Sequence, residues 1–337
     1  MSRTMPTLAD LAAAAGVSTM TVSRALNNQP GISPRTRDII LKVASEKGYT
    51  SNRVAQKLSS GQSRVIGVIA LQLELPFIIG VVSSVVRAAA AAGNEVLIYS
   101  HPEREKQPSS SVLHLLQQFT DGAVALPPYH DGFVEALARG RFPVAMVDSP
   151  IDHADLSCVA CDDYGGARSA MKHLADLGHK RIAFIDGVEK LGSAKERLRA
   201  YHEAVAVHGL ARDPALLVPG HFSHAGGHAA ALALLALRKR PTAIFAANDL
   251  SAFGAMAALQ EQGLKIPQDM SVVGFDDAPA ALHVHPALTT VRQPMEGIGR
   301  AAVSTLLSQI AGLAPDSVRV TLPTELMVRQ STAAPRD

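Results

Sequence analysis

Thr7-Leu8-Ala9-Asp10-Leu11-Ala12-Ala13-Ala14-Ala15-Gly16-Val17-Ser18-Thr19-Met20-Thr21-Val22-Ser23-Arg24-Ala25-Leu26-Asn27 reads as two short helices hinged at a glycine. Leu8, Leu11, Ala12 and Ala15 fall at i, i+3, i+4 and i+7, one apolar face of a helix. Gly16 suits the left-handed backbone at a helix end. Ser18 can cap a second helix, whose Val22 and Leu26 lie four apart on the buried side. Thr19, Met20, Ser23 and Arg24 are then left on the outer face. A short helix with an exposed polar first turn and an arginine one turn in is how a recognition helix enters the major groove of DNA. The pattern alone fits a plain helical hairpin equally well.

The following residues favour the DNA reading. Ser33-Pro34 is a helix start, a cap residue followed by proline at the first helical position. Ile39, Ile40, Val43 and Ala44 supply an apolar stripe for a third helix, which Gly48 closes. Residues 1–64 hold nine lysines and arginines against three acids, a net +6; the chain as a whole is +2, which leaves −4 on the remainder. A basic head on a mildly acidic body is the electrostatic footprint of phosphate contacts gathered at one end.

Val17 to Asn27, Gly48-Tyr49 and Ser51-Asn52-Arg53-Val54-Ala55-Gln56-Lys57-Leu58 together resemble the lactose-repressor/galactose-repressor family of bacterial transcription regulators. The resemblance implies DNA contacts from Thr19, Met20, Thr21, Ser23, Arg24 and Asn27 in the recognition helix. It also implies a hinge helix at Asn52, Arg53, Ala55 and Leu58, disordered in the free protein and folded in the minor groove when a dimer sits on its operator. Leu58 would then be the wedge between central base pairs, with Ala55 at the groove floor. An apolar wedge partly unstacks a base step and kinks the duplex, which opens the groove for two short helices. Several relatives carry proline where this chain has Ser51, so the start of its hinge is less rigid. Ser59 to Ser63 reads as flexible linker.

The rest is long enough for two lobes. No stretch reaches the roughly 18 apolar residues of a membrane span, and the first residues lack a secretory apolar region, so a cytoplasmic protein is expected. The two cysteines, Cys158 and Cys161, have C-x-x-C spacing, but they sit on an expected strand that points them to opposite faces, and no second pair completes a zinc site. His283 and His285 share a face if extended, without a third ligand nearby. Neither a metal nor a cofactor is expected.

Apolar strands alternate with helices over the body. Strands are expected at Val65–Ala70, Glu95–Tyr99, Gly122–Leu126, Val144–Asp148 and Leu156–Cys161, then at Arg181–Ile185, Ala243–Ala247 and Ser271–Phe275; Pro76–Ala92 reads as a helix. Two such sets imply two Rossmann-like lobes with parallel sheets. No G-x-G-x-x-G follows the first strand, which argues against a dinucleotide site.

Asp162-Asp163-Tyr164-Gly165-Gly166, His173 to Phe184, Ala247-Asn248-Asp249, Val273-Gly274-Phe275-Asp276-Asp277 and Leu288 to Gln293 extend the resemblance over nearly the full chain. It implies an α/β fold: a helix-turn-helix headpiece of three helices over 1–50, a hinge helix and linker over 51–63, and a core of periplasmic-binding-protein type over 64–337. Chain crossings near 160, 291 and 323 give lobe 1 about 64–160 and 292–322, and lobe 2 about 161–291 and 323–333. Ligands of open parallel sheets sit beyond the carboxyl ends of strands, where Asp148, Asn248 and Asp276 fall. The resemblance adds Arg197, Phe222 and Phe77 as effector contacts, and Gln293 is expected to reach the cleft from a crossing segment. Arg197 reads otherwise as a surface partner of Glu196 or Glu203, and Phe222 and Phe77 as packing. For Asp249 and Asp277 a cap or turn role is preferred.

No G-x-S-x-G elbow, H-E-x-x-H or Walker loop is present, so no enzyme is expected. The reading is a DNA-binding regulator, a repressor released from a pseudo-palindromic operator by a sugar-like effector. An activator or corepressor-dependent regulator of the same family stays open, as does a solute-binding protein without a DNA role. No leucine-heptad tail follows the core, and a homodimer is the expected state.

Overall fold

The computed structural model describes residues 6–26, 29–49, 62–70, 72–100, 110–127, 140, 142–148, 156–313 and 317–336. The chain divides into two compact units, Met1–Ser63 and Arg64–Asp337.

The first unit holds α1 (Leu8–Ala15), α2 (Thr19–Leu26) and α3 (Pro34–Glu46). Thr7 and Asp10 form a reciprocal capping box: the Asp10 N–H donates to Thr7 Oγ1 (3.3 Å) and the Thr7 N–H to Asp10 Oδ2 (2.7 Å). Gly16 ends α1 at φ 65°, in the left-handed region expected for it. Ser18 and Ser33 accept from the Thr21 and Thr36 N–H groups, each at 3.1 Å. Leu11, Ala12, Val22, Ala25, Ile40 and Ala44 form the shared core, with Leu8, Ala15, Leu26 and Val43 packed at its edge. The expected stripe of α3 needs one correction. Ile39 is 47% exposed. Ile40 and Ala44 are four apart and define the buried line, and Ile39 lies about 100° off it.

The second unit contains two six-stranded sheets. Sheet 1 is built from β1 (Val65–Ile69), β2 (Glu95–Tyr99), β3 (Gly122–Ala125), β4 (Val144–Val147), β5 (Ser157–Cys161) and β11 (Arg319–Leu322), in the order β11-β5-β4-β3-β1-β2. Sheet 2 takes β6 (Ile182–Asp186), β7 (Leu217–Pro219), β8 (Ala243–Ala246), β9 (Ser271–Asp276), β10 (Thr289–Arg292) and β12 (Glu325–Met327), in the order β12-β10-β9-β8-β6-β7. Every described strand pair is parallel except β10 with β12. The fully buried β1, β3, β4 and β9 explain why these segments read as unbroken apolar runs.

Sheet 1 is covered by α4 (Pro76–Ala91) and α10 (Met295–Ile310) on one face and by α5 (Ser110–Phe119) on the other. Sheet 2 lies between α6 (Asp163–Asp176) with α7 (Gly192–Val207) and α8 (His224–Leu235) with α9 (Asp249–Glu261). Helices α8 and α9 touch backbone to backbone. A Cβ on Gly254 would stand 1.9 Å from the His224 carbonyl oxygen, and one on Gly227 2.0 Å from that of Ser251.

The chain passes between the sheets three times: between Cys161 and Asp163, between Arg292 and Met295, and between Leu322 and Glu325. The first and third passages are bonded together, since the Asp162 N–H donates to Leu322 O (2.9 Å) and Thr324 Oγ1 to Asp162 O (3.0 Å). Both cysteines are free and buried. Burial pushes the Cys161 thiol up, away from the reactive thiolate. His283 follows a short 3-10 turn (Pro279–Leu282) rather than an extended strand, so the shared face expected of His283 and His285 does not form. Among the described residues no group of three metal-ligating side chains is found, and no helix is long and apolar enough to cross a membrane.

Candidate functional site

On α2, the capped start and the buried Val22 and Ala25 turn the opposite face outward. Met20 is 65% exposed, Thr19 and Arg24 are exposed, and Thr21 and Ser23 are half-buried. Asn27, Asn52, Arg53, Ala55 and Leu58 lie outside the described residues.

In the second unit a cavity of about 500 Å³ opens between the lobes at the carboxyl ends of the strands. Phe77, Asp148, Arg197, Phe222, Asn248, Asp276 and Gln293 all line it. Lobe 1 contributes a largely apolar wall, with Leu75, Pro76, Ile78, Val147 and Val159 around Phe77. Lobe 2 contributes most of the polar groups, among them Ser193, His221 and His224.

Arg197 is 3% exposed rather than a surface residue. Its Nε (2.9 Å) and Nη2 (2.7 Å) donate to Asp163 Oδ1, and its Nη1 to Ala247 O (2.5 Å). The guanidinium lies 3.6 Å from the Phe275 ring centroid and 5.7 Å from that of Phe222. Three of its five N–H groups are thus engaged in these bonds. The surface pairing with Glu196 belongs instead to Arg199.

Asp276 ends β9, and its Oδ1 accepts from Gln293 Nε2 (2.7 Å). Burial raises its carboxyl to about 6 from 3.8, against the opposing pull of Arg197 and Gln293. Burial also raises Asp148. That residue reaches across the cleft from the end of β4. Its Oδ1 accepts from the Ser193 N–H (3.1 Å) and its Oδ2 from Ser193 Oγ (2.7 Å). Asn248 caps α9 through Oδ1, which accepts from the Ser251 N–H (2.9 Å), and donates through Nδ2 to Phe222 O (3.2 Å).

Asp249 and Asp277 do more than cap or turn. Asp249 is fully buried, and accepts from Thr290 Oγ1 (2.5 Å) and the Ala278 N–H (2.7 Å). Asp277 is gripped by Arg292 Nε (2.7 Å) and by Arg329 Nη2.

Backbone strain gathers at the cavity. Among the described residues, the non-glycine positions with left-handed φ are Arg64, Asp148 (52°), His221 (54°), Phe222 (54°), Asp276 (129°) and Asp277 (57°). Four of them line the cavity, and Asp277 adjoins it. Each such residue costs about 1–3 kcal/mol and persists only where its surroundings hold it.

Sequence reasoning did not single out Asp163 as the partner of Arg197, nor Ser193 as the partner of Asp148. Asp163 stands in the matched Asp-Asp-Tyr-Gly-Gly stretch, which could have drawn attention to it. Ser193 carries no sequence signal for a contact made across two lobes.

Residues 7–52 match the family described as bacterial regulatory proteins, lacI family, and residues 171–332 match a periplasmic binding protein-like domain. The HTH-type transcriptional regulator CelR of Thermobifida fusca is 33% identical over 340 residues, 98% of this chain and 99% of its own. The HTH-type transcriptional repressor CytR of Escherichia coli K12 is 34% identical over 334 residues, 98% and 97% of the two chains. The lac repressor dimer bound to operator and the anti-inducer ONPF superimposes with a TM-score of 0.87 at 32% identity, covering 98% of this chain and 100% of that one. A complex of the regulator CelR with cellobiose gives 0.75 at 32% identity, covering 97% and 99%. With a helical DNA-binding motif and a two-lobed cleft matched over nearly its full length, the chain belongs to the lacI family of bacterial regulatory proteins.

Proposed function

We propose that this protein is a sequence-specific transcriptional repressor, a cytoplasmic homodimer, which a sugar-like effector in the cleft releases from a pseudo-palindromic operator. One observation carries the reading: a single chain holds a capped three-helix unit with an exposed Thr19, Met20 and Arg24 face and a cavity of about 500 Å³ between two lobes, mostly apolar with a few converging polar side chains. The net +6 of residues 1–64 supports phosphate binding at that end.

Thr19, Met20, Thr21, Ser23, Arg24 and Asn27 read the major groove. Asn52, Arg53, Ala55 and Leu58 form the hinge helix in the minor groove, with Leu58 as the wedge. In the cleft, Asp276, Asp148, Arg197, Asn248 and Gln293 offer acceptors and donors for hydroxyl groups, while Phe222 and Phe77 cover apolar faces. The cellobiose complex of CelR supports a sugar ligand. Lobe 1 about 64–160 and 292–322, and lobe 2 about 161–291 and 323–333, close on the ligand. Closure changes the spacing of the two hinge helices in the dimer.

The test has two stages. DNA selected from a random pool gives the operator, and a thermal-shift screen of sugars, sugar acids and purines gives the effector. Effector is then titrated with and without saturating operator. The coupling is reciprocal and of about 1–3 kcal/mol. Weaker effector binding with DNA present is the expected outcome. Equal affinities defeat the allosteric reading, and tighter binding makes the ligand a corepressor.

A further inference from the structure

We propose that Asn248 and Asp249, adjacent at the start of α9, are positioning residues that hold two left-handed turns and thereby present Phe222 and Asp276 to the cleft. The purpose rests on the effector site proposed above; the geometry is testable without any effector.

The first turn is His221-Phe222, both at φ 54°. Non-glycine residues leave that region unless something holds them. Asn248 Nδ2 donates to Phe222 O at 3.2 Å while Oδ1 caps the helix. A cap alone needs only an acceptor, which aspartate or serine supplies equally. Asparagine adds a donor, and here the donor points at the strained turn. The Phe222 ring is pressed onto Gly187, where a Cβ would stand 2.2 Å from Cζ.

The second turn is Asp276-Asp277, at φ 129° and 57°. Asp249 Oδ2 accepts from the next residue, through the Ala278 N–H at 2.7 Å, and Oδ1 ties the turn to β10 through Thr290 Oγ1 at 2.5 Å. Burial pushes the Asp249 carboxyl up, and a fully buried polar group is costly unless it is hydrogen-bonded, as this one is to both the turn and β10. One dipeptide on one helix end therefore bonds to both strained turns, the second of which Gln293, Arg292 and Arg329 also grip, and the stacking ring and the carboxyl keep their spacing.

The chain contains no tryptophan, so Phe222→Trp provides a single fluorescent reporter of the first turn. In that background Asn248→Asp and Asn248→Ser keep the cap and remove the amide donor. The expected result is a red-shifted emission and stronger acrylamide quenching with an unchanged or higher Tm, because the turn relaxes. Asn248→Ala loses the cap as well, and its Tm falls by about 2–4 °C. Unchanged emission in Asn248→Asp overturns the proposal, as does a shift accompanied by the Tm loss of Asn248→Ala, which marks a cap only.

Hydrogen exchange in the chain with Phe222 intact gives a second readout. Asn248→Asp is expected to speed exchange at residues 220–223, and Asp249→Asn at residues 276–278, each leaving the other turn protected. Protection unchanged at both turns overturns the proposal. Neither readout depends on whether a sugar releases DNA, so failure of the effector reading is seen separately.

Discussion

Asp148 and Ser193 join the two lobes directly: the carboxylate at the end of β4 accepts both the backbone N–H and the hydroxyl of a residue in the first turn of α7, at 3.1 and 2.7 Å. The helix N-terminus favours the negative charge, and the left-handed φ of 52° at Asp148 aims it there. The two sides of the cleft are thus bridged at this point by the protein's own atoms.

Ser193→Ala is expected to loosen this contact. A hydrogen bond to a charged group contributes about 1.5–3 kcal/mol, and the backbone N–H remains. Distances between spin labels on the two lobes should lengthen and broaden in the variant. An unaltered distribution means that packing around the crossings, not Ser193, keeps the lobes together.

Arg197→Ala leaves Asp163 buried without its counter-ion, which costs about 3–5 kcal/mol. The loss should show in denaturant unfolding, independently of any ligand. Replacing both partners, Arg197→Met with Asp163→Leu, should recover most of it. A double variant as unstable as Arg197→Ala would show that the stacking on Phe275 dominates.

Asp276 gives a pH dependence of known sign. Its carboxyl titrates at about 6 in the folded chain against 3.8 when free. The folded state therefore holds the proton more tightly. Its contribution to stability is full below 3.8 and is lost as pH rises through about 6. Across that window the Tm of the wild type should fall relative to Asp276→Asn; parallel curves would reject the assignment. Hydroxyl donors of a ligand favour the ionised form, so effector affinity should rise over the same interval.

Arg24→Ala should weaken operator binding by about 1–3 kcal/mol and relax specificity at one position if Arg24 reads a base. Fluorescence anisotropy against single-base operator variants separates the cases. Uniform weakening with a smaller salt slope makes it a phosphate contact.

Gly187→Ala should drive the Phe222 ring off its seat, since the new Cβ would meet Cζ at 2.2 Å. The ring then moves toward the cavity, and effector affinity should fall by tenfold or more, of the order of 1.4 kcal/mol. Calorimetry with the effector found by screening reads this directly. An unaltered affinity would place the Phe222 ring outside the binding surface.

What the sequence made legible was local. The caps at Ser18 and Ser33, the turn at Gly16 and eight strands of the two sheets follow from short-range chemistry, and they appear within a residue or two of where they are expected, whereas the short β7, β10, β11 and β12 are not among the expected strands. Ile39 misled because four apolar residues within six positions fit more than one face of a helix. Of the cavity residues, Asp148, Asn248 and Asp276 could be named because strand ends mark themselves, while Arg197, Phe222, Phe77 and Gln293 could be named only through the family resemblance. Their partners could not. Asp163 and Arg197 are 34 positions apart, and Asp148 and Ser193 are 45. No periodicity links such pairs, and only tertiary packing decides whether an arginine faces solvent, a carboxylate or a ligand.

The backbone contact between α8 and α9 bears on how such a cleft can be re-engineered. Gly227 and Gly254 leave no room for a methyl group, so His224 at one helix start and Asn248 at the other ride on a single welded block. Variation in ligand preference has to enter through the side chains borne on that block, such as His221 and Phe222, or through the facing wall at Leu75 and Phe77, while the seam itself tolerates only glycine. A library aimed at a new effector should randomise those rim positions and leave the weld alone.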